Sequence, residues 1–228
     1  MSTPASNRPA LLLVGAGPGL GLAIARRFGR EGFHLIGIAR RPATLGAWAE
    51  ALRADGLSCE PVAADAADGP RLATLIGALA VGHMVGVLVY NAAGREPQGM
   101  PSSLEAQALQ SSLQVSALSA LAAAQALLPG MRARGWGSLL FTGGGYALEP
   151  AARLSALALG KAALRSLALS LYEELRPAGL HAATVTVCGA VQPAGSGGVL
   201  AADAIAEHYW QLHLQKPQAF ERERLVGR

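Results

Sequence analysis

The sequence predicts an α/β domain, a single doubly wound parallel sheet with helices on both faces. Three observations carry this reading. Short runs that are apolar at every position, rather than at alternate ones, recur along the chain, as expected of strands covered on both faces. Segments of helical periodicity lie between them, so strand and helix alternate throughout. A glycine cluster, "GAGPGLG" (Gly15 to Gly21), follows the first apolar run, where such sheets carry a tight strand-to-helix turn.

The elements follow in order. Ala10 to Val14 is the first strand, and Leu20 to Phe28 reads as helix. Phe33 to Ala39, Ser58 to Ala64 and Met84 to Tyr90 are the next strands, separated by helices over Thr44 to Ala54 and Arg71 to Ala80. One long helix, rich in alanine and leucine, is predicted from Leu104 to Arg132. Strand Ser138 to Thr142, helix Leu154 to Arg176 and strand His181 to Val187 come next, then a helix from Asp203 to Leu214 and a charged end. Residues 1–8 read as a disordered leader and 9–228 as one domain, with no repeat or linker dividing it.

Composition narrows the function classes. At 228 residues and 51% hydrophobic content the chain can bury a full core. No apolar stretch reaches the roughly 20 uninterrupted residues of a membrane span, so a soluble cytoplasmic protein without membrane association is expected. The two cysteines, Cys59 and Cys188, are far apart with no Cys/His ligand spacing, so no metal site is expected. The net charge of +4 comes from dispersed arginines, with aromatics at only 5%. A nucleic-acid surface would show a basic stripe interleaved with stacking rings; an anionic small molecule suits this pattern better.

Ligands of such sheets bind beyond the carboxyl ends of the strands, which directs attention to the strand ends. In "VGAGPGLGLAIARRF", Gly15, Gly17, Gly19 and Gly21 allow a sharp turn and a close backbone approach to a pyrophosphate at a helix N-terminus. The spacing G-x-G-x-x-G fails in every register, because Leu20 and Leu22 stand where its last glycine is needed. G-x-x-x-G-x-G fits Gly15, Gly19 and Gly21. That spacing resembles the short-chain dehydrogenase/reductase family, a Rossmann-type fold. "LVYNAAG" is similar to the family's Asn-Asn-Ala-Gly segment, with Asn91 and Gly94 kept and Ala92 replacing an asparagine. The element order matches from about Ala10 to Val191.

The resemblance implies a nicotinamide dinucleotide as cofactor, held by Gly15, Gly17, Gly19, Leu20 and Gly21, by Asn91, Ala92 and Gly94, and by a lysine on the ribose. Where the family's NAD-dependent members place an acidic residue after the second strand, "GIARR" supplies Ala39, Arg40 and Arg41. An arginine fork suits a 2′-phosphate, so NADP(H) is preferred, with NAD(H) as the alternative. Asp65 occupies the position that the resemblance gives to an adenine contact.

Family members transfer hydride between carbonyl and alcohol with a Tyr acid/base, a Lys four residues later, a Ser after the fifth strand and an Asn on the long helix. A lysine ammonium lowers the phenol pKa, and the serine hydroxyl orients the carbonyl oxygen. Here the lysine is Lys161, and the residue four before it is Leu157. Stepping back to the alternative seven-residue offset lands on Leu154. The serine position falls on Gly143 and Gly144 in "LLFTGGG", and the asparagine position, counted from "QALLP", on Ser116. Downstream, Cys188-Gly189 stands for the family's Pro-Gly, Pro193 for a threonine, and "AGSGGVL" is too short for the usual substrate-covering helices, so an open pocket is expected. Tyr146, Ser116 and Ser155 remain as alternative polar groups, Ser155 lying about 120° around the helix from Lys161.

Lys161 itself lies on an apolar stripe, Leu154, Leu157, Lys161, Leu164, Ala168, Leu171 and Leu175, spaced by three and four. An ammonium on a buried face costs several kcal/mol unless partnered, which a ribose contact would explain. Two readings follow: an NADP(H)-dependent oxidoreductase with a non-standard site using Lys161, Ser116 and Tyr146, or a nucleotide-binding pseudoenzyme acting as sensor or scaffold. A few dienoyl-CoA reductase relatives lack the tyrosine, which makes carbon–carbon double-bond reduction one option for the first. The apolar surfaces of the Leu104 to Arg132 and Leu154 to Arg176 helices imply, by the same resemblance, a homodimer or homotetramer.

Overall fold

The computed structural model describes residues 8–94 and 99–228; most of the expected leader, residues 1–7, lies outside them. The strands are β1 (Ala10–Val14), β2 (His34–Ala39), β3 (Cys59–Ala63), β4 (Val85–Tyr90), β5 (Ser138–Gly144), β6 (His181–Val187) and β7 (Glu223–Val226). The helices are α1 (Leu20–Gly29), α2 (Pro42–Ala54), α3 (Gly69–Gly82), α4 (Ala106–Leu113), α5 (Ser119–Arg134), α6 (Ser155–Leu175) and α7 (Ala202–His213). The strands pair in parallel in the order β3-β2-β1-β4-β5-β6-β7. The winding therefore reverses between β1 and β4.

Local chemistry sets the boundaries. Pro42 and Pro70 sit in the first turns of α2 and α3, where a missing N–H costs nothing. Asp68 caps α3 by accepting from the Arg71 amide at 3.1 Å. Gly135, at φ +74°, stops α5 in a left-handed cap.

Alternation along β1 divides the core between two layers. Leu11 and Leu13 face Phe28 of α1, Trp48 of α2 and Tyr209 of α7. Leu12 and Val14 face Leu72 of α3, Leu127 of α5 and Leu164 of α6. Each large buried side chain contributes about 1.5–3 kcal/mol relative to exposure, so both layers hold the sheet between helices and leave its two ends open.

Three expectations are corrected. The charged end contains β7, whose Glu223 turns inward because partners await it: Thr186 donates to its carboxylate at 2.7 Å and Arg165 of α6 does so through Nε at 2.8 Å. The long helix is two α-helices, α4 and α5, joined by a π-helical turn over Gln114–Leu118. Tyr90 explains the turn, since its hydroxyl donates to the Val115 carbonyl at 2.5 Å and so satisfies a group the regular ladder would use. The helical run Ala106–Arg134 is 29 residues long and contains a stretch long and apolar enough, by length and composition, to cross a membrane. It packs on α3 and β4 as a core layer of the domain.

His213, at the end of α7, packs beside the rings of Phe28 and Phe33 with Nδ1 2.9 Å from Ser138 Oγ. Burial, with His181 nearby, pushes its pKa down to about 4 from 6.5. In the unfolded chain the ring takes up its proton first as pH falls, so stability present above pH 6.5 is lost down to about pH 4. Urea melts across that range should show a falling unfolding free energy, and His213→Gln should flatten that part of the curve.

Candidate active site

The reversal point at the carboxyl ends of β1 and β4 is built from backbone. Gly15 has φ +99°, and a Cβ there would lie 2.6 Å from the Ala92 amide nitrogen. A Cβ on Gly21 would lie 2.7 Å from the Gly15 carbonyl oxygen. These two glycines are needed for the loop to close on β4 and on α1. Gly19 is different, since a Cβ there meets none of the described residues within 4 Å. The space before the α1 N-terminus is a cradle that the protein leaves open. No acidic residue occupies the first turn of α1, so its amides and dipole favour an anion.

Asn91 fixes this loop. Its backbone amide donates to Val14 O at 2.7 Å and its Nδ2 to Gly15 O at 3.0 Å. Its Oδ1 accepts from Thr142 Oγ1 at 2.9 Å, and that hydroxyl also lies 2.7 Å from the buried Tyr209 hydroxyl. The Thr142 carbonyl accepts from Lys161 Nζ at 2.8 Å. Loop, strand ends and lysine thus form one connected set.

Two cavities flank that set. The smaller, about 290 Å³, is walled by Gly15 and Gly17 on one side and by Arg40, Arg41 and Asp65 on the other, with Asn91, Ala92, Gly94 and Val115 at its base. Both arginines are exposed, and Asp65 turns its Oδ1 to the Ala67 amide at 3.0 Å. The larger, about 740 Å³, is walled by Gly143 to Tyr146 after β5, by Leu157 and Lys161 of α6, and by Cys188 to Val191 after β6. Glu149 and Arg228 stand at its margin, 3.2 Å apart.

Other predicted residues are placed elsewhere. Leu20 packs into the core, and Gly19 and Gly21 begin α1 without lining either cavity. Ser116 is 2% exposed within the π-helical turn and faces α6, where a Cβ on Gly160 would approach its Oγ to 2.8 Å. It lines neither cavity. Ser155 donates to the Gly99 carbonyl at 3.0 Å. Tyr146 is 40% exposed at the wall of the larger cavity. Lys161 is buried, with its stem beside Gly144, where a Cβ would meet it at 3.5–3.6 Å. Residue-by-residue matching missed Thr142 and Tyr209. Tyr209 carries no local signal, because its partner lies 67 positions away in sequence.

A family model described as short chain dehydrogenase matches residues 9–199. Dehydrogenase/reductase SDR family member 4 of Sus scrofa is 29% identical over 177 residues, 76% of this chain, which spans 62% of that relative's length. A metagenomic short-chain oxidoreductase solved in complex with NADP is 26% identical at a TM-score of 0.85, covering 99% of this chain and 98% of that one. A short-chain dehydrogenase from Rhodopseudomonas palustris shares the fold at a TM-score of 0.85 and 22% identity, over 96% and 98% of the two chains. With the seven-stranded parallel sheet and the glycine loop at its reversal point, these matches show that the chain belongs to the short-chain dehydrogenase family.

Proposed function

We propose that the chain is an NADP(H)-dependent oxidoreductase with a non-standard active site. The observation that carries this is the hydrogen-bonded chain from Gly15 through Asn91 and Thr142 to Lys161, which spans the two cavities. Open space over Gly19 and a first turn free of acids fit a dinucleotide pyrophosphate. Arg40 and Arg41 make no ion pair among the described residues and stand ready for a 2′-phosphate. The NADP held by the metagenomic relative supports the same nucleotide here.

A bound NADPH supplies hydride. The chain's own residues position it and the substrate. Lys161 holds its ammonium beside the strand end, and a ribose hydroxyl can share it with the Thr142 carbonyl. Leu157 and Gly144 present no hydroxyl to the larger cavity, and the Thr142 hydroxyl is engaged by Asn91 and Tyr209. The phenol in the wall is Tyr146, at the open side. This favours a polarised carbon–carbon double bond, whose developing enolate a nearby cation stabilises, over an ordinary ketone that needs an immediate proton. Exposed Leu118 and Leu159, on the helical surfaces that the resemblance links to assembly, support a homodimer or homotetramer, and the reading is of a cytoplasmic enzyme. A pseudoenzyme reading is favoured by the same Leu157 and Gly144, and tight NADPH binding with no turnover of enals, ketones or imines would select it.

Titration calorimetry should give NADPH a Kd at least tenfold below that of NADH, a difference of about 1.4 kcal/mol; Arg40→Ala with Arg41→Ala should erase the preference. Binding of neither nucleotide below about millimolar overturns both readings. Gly19→Ala should keep the wild-type melting temperature yet weaken NADPH binding, whereas Gly15→Ala, forced to a positive φ against Ala92, should lose about 1–3 kcal/mol of stability as well. Because a side chain at Gly144 meets the Lys161 stem at ordinary contact distance, Leu157→Tyr with Gly144→Ser should raise ketone reduction by about 10²-fold or more, read as NADPH consumption.

A further inference from the structure

At the opposite end of the sheet three side chains from distant segments converge. His34 opens β2, Glu60 lies on the edge strand β3, and His83 follows the end of α3. We propose that His34, Glu60 and His83 form a binding site for a zinc-like divalent metal ion.

The donor atoms already meet. His83 Nε2 lies 3.1 Å from Glu60 Oε2 and His34 Nε2 lies 3.6 Å from the same oxygen. All three ligand atoms fall within 4.8 Å of one another. The two rings are stacked, 5.1 Å between centroids and 10° between planes, so both Nε2 edges address one carboxylate. Tetrahedral bonds of about 2.0–2.1 Å place ligand atoms about 3.3 Å apart. Shifts of about 1 Å bring the donor atoms to that spacing, and because the two lone pairs lie in nearly parallel ring planes, the rings must also tilt toward each other to share an ion.

Two further observations point to a ligand. His34 Nε2 is buried and has no hydrogen-bond partner among the described residues, an arrangement that is costly for a ring nitrogen, and 3.6 Å to Glu60 is too long to count as a bond. On the other side of the ring, Nδ1 lies 3.1 Å from Ser58 Oγ. In the tautomer that donates from Nδ1 to Ser58, the Nε2 lone pair faces the cluster, the outer-shell arrangement that orients a metal-bound histidine.

The donor set selects the ion class. Two imidazoles and one carboxylate suit Zn²⁺ and its borderline neighbours, whereas Mg²⁺ and Ca²⁺ take oxygen ligands. The Glu60 side chain is 40% exposed, which leaves room for water as a fourth ligand. An ion here would tie the edge strand β3 to β2 and to the exit of α3, away from the candidate active site. The expectation of no metal rested on cysteines and on ligands close in sequence, and this set has neither.

The test uses the untagged full chain, stripped with chelator. One Zn²⁺ should bind per chain with a Kd on the order of micromolar or below, and Co²⁺ should give the intense visible bands of a four-coordinate ion. At a hundredfold excess over Kd, the melting temperature should rise by about 5–10 °C and fall back with EDTA. His83→Gln and Glu60→Gln should each weaken Zn²⁺ binding at least tenfold. Zn²⁺ binding that is absent, or unchanged in both variants, overturns the proposal. Should either variant misfold, the Co²⁺ spectrum of the unaltered chain decides: bands no stronger than those of the hydrated ion overturn the site.

Discussion

The hydrogen bonds of Asn91 hold the functional end of this molecule together. A parallel sheet leaves its strand ends ragged, and at the reversal point β1 and β4 diverge toward opposite helix layers. One side chain spans the gap: Asn91 donates to the Gly15 carbonyl and accepts from Thr142, which Tyr209 in turn supports from α7. Every member is at least partly buried, so removing one leaves another polar group unsatisfied at about 1–3 kcal/mol. Gly15 sits so close to Ala92 that the loop cannot shift independently. The position of the open cradle over α1, and of Lys161 through the Thr142 carbonyl, follows from that node.

The sheet was legible because its signal is local. Six strands appear within a few residues of the apolar runs that predict them, and the glycine loop stands where a first strand must turn. What escaped depends on contacts between distant segments. "ERLV" has no strand pattern of its own; it joins the sheet because Arg165 and Thr186 receive Glu223. The π-helical turn has no visible cause in its own alanine-rich sequence, since its partner is the Tyr90 hydroxyl from the neighbouring strand. Of the candidate site residues, Gly15 and Lys161 can be named from spacing and Arg40 from its place after the second strand, whereas Thr142 and Tyr209 enter only through the geometry that joins them.

Division of labour between the ends of the sheet follows from the same architecture. Carboxyl ends carry the loops, the exposed arginines and both flanking cavities. Amino ends carry short connections, and there His34 and Glu60 sit on adjacent paired strands, in β2 and β3. Groups at the amino end can stiffen the edge of the sheet without touching the chemistry at the other. Stability and function are thereby free to vary separately.

Leu157 and Gly144 both suit the packing around the larger cavity. Leu157 continues the apolar stripe of α6, and Gly144 leaves room over the Lys161 stem that a Cβ would fill at contact distance. Both line an open cavity and not the closed core, so a larger or more polar side chain there meets no cavity or overpacking cost. Ser116 is another matter: it is enclosed where α6 and the π-helical turn approach so closely that a Cβ on Gly160 would lie 2.6 Å from Ser112 Oγ and 2.8 Å from Ser116 Oγ. The larger cavity can therefore take hydroxyl groups at positions 157 and 144 without repacking of the core, while Ser116 lies in the helix contact behind it.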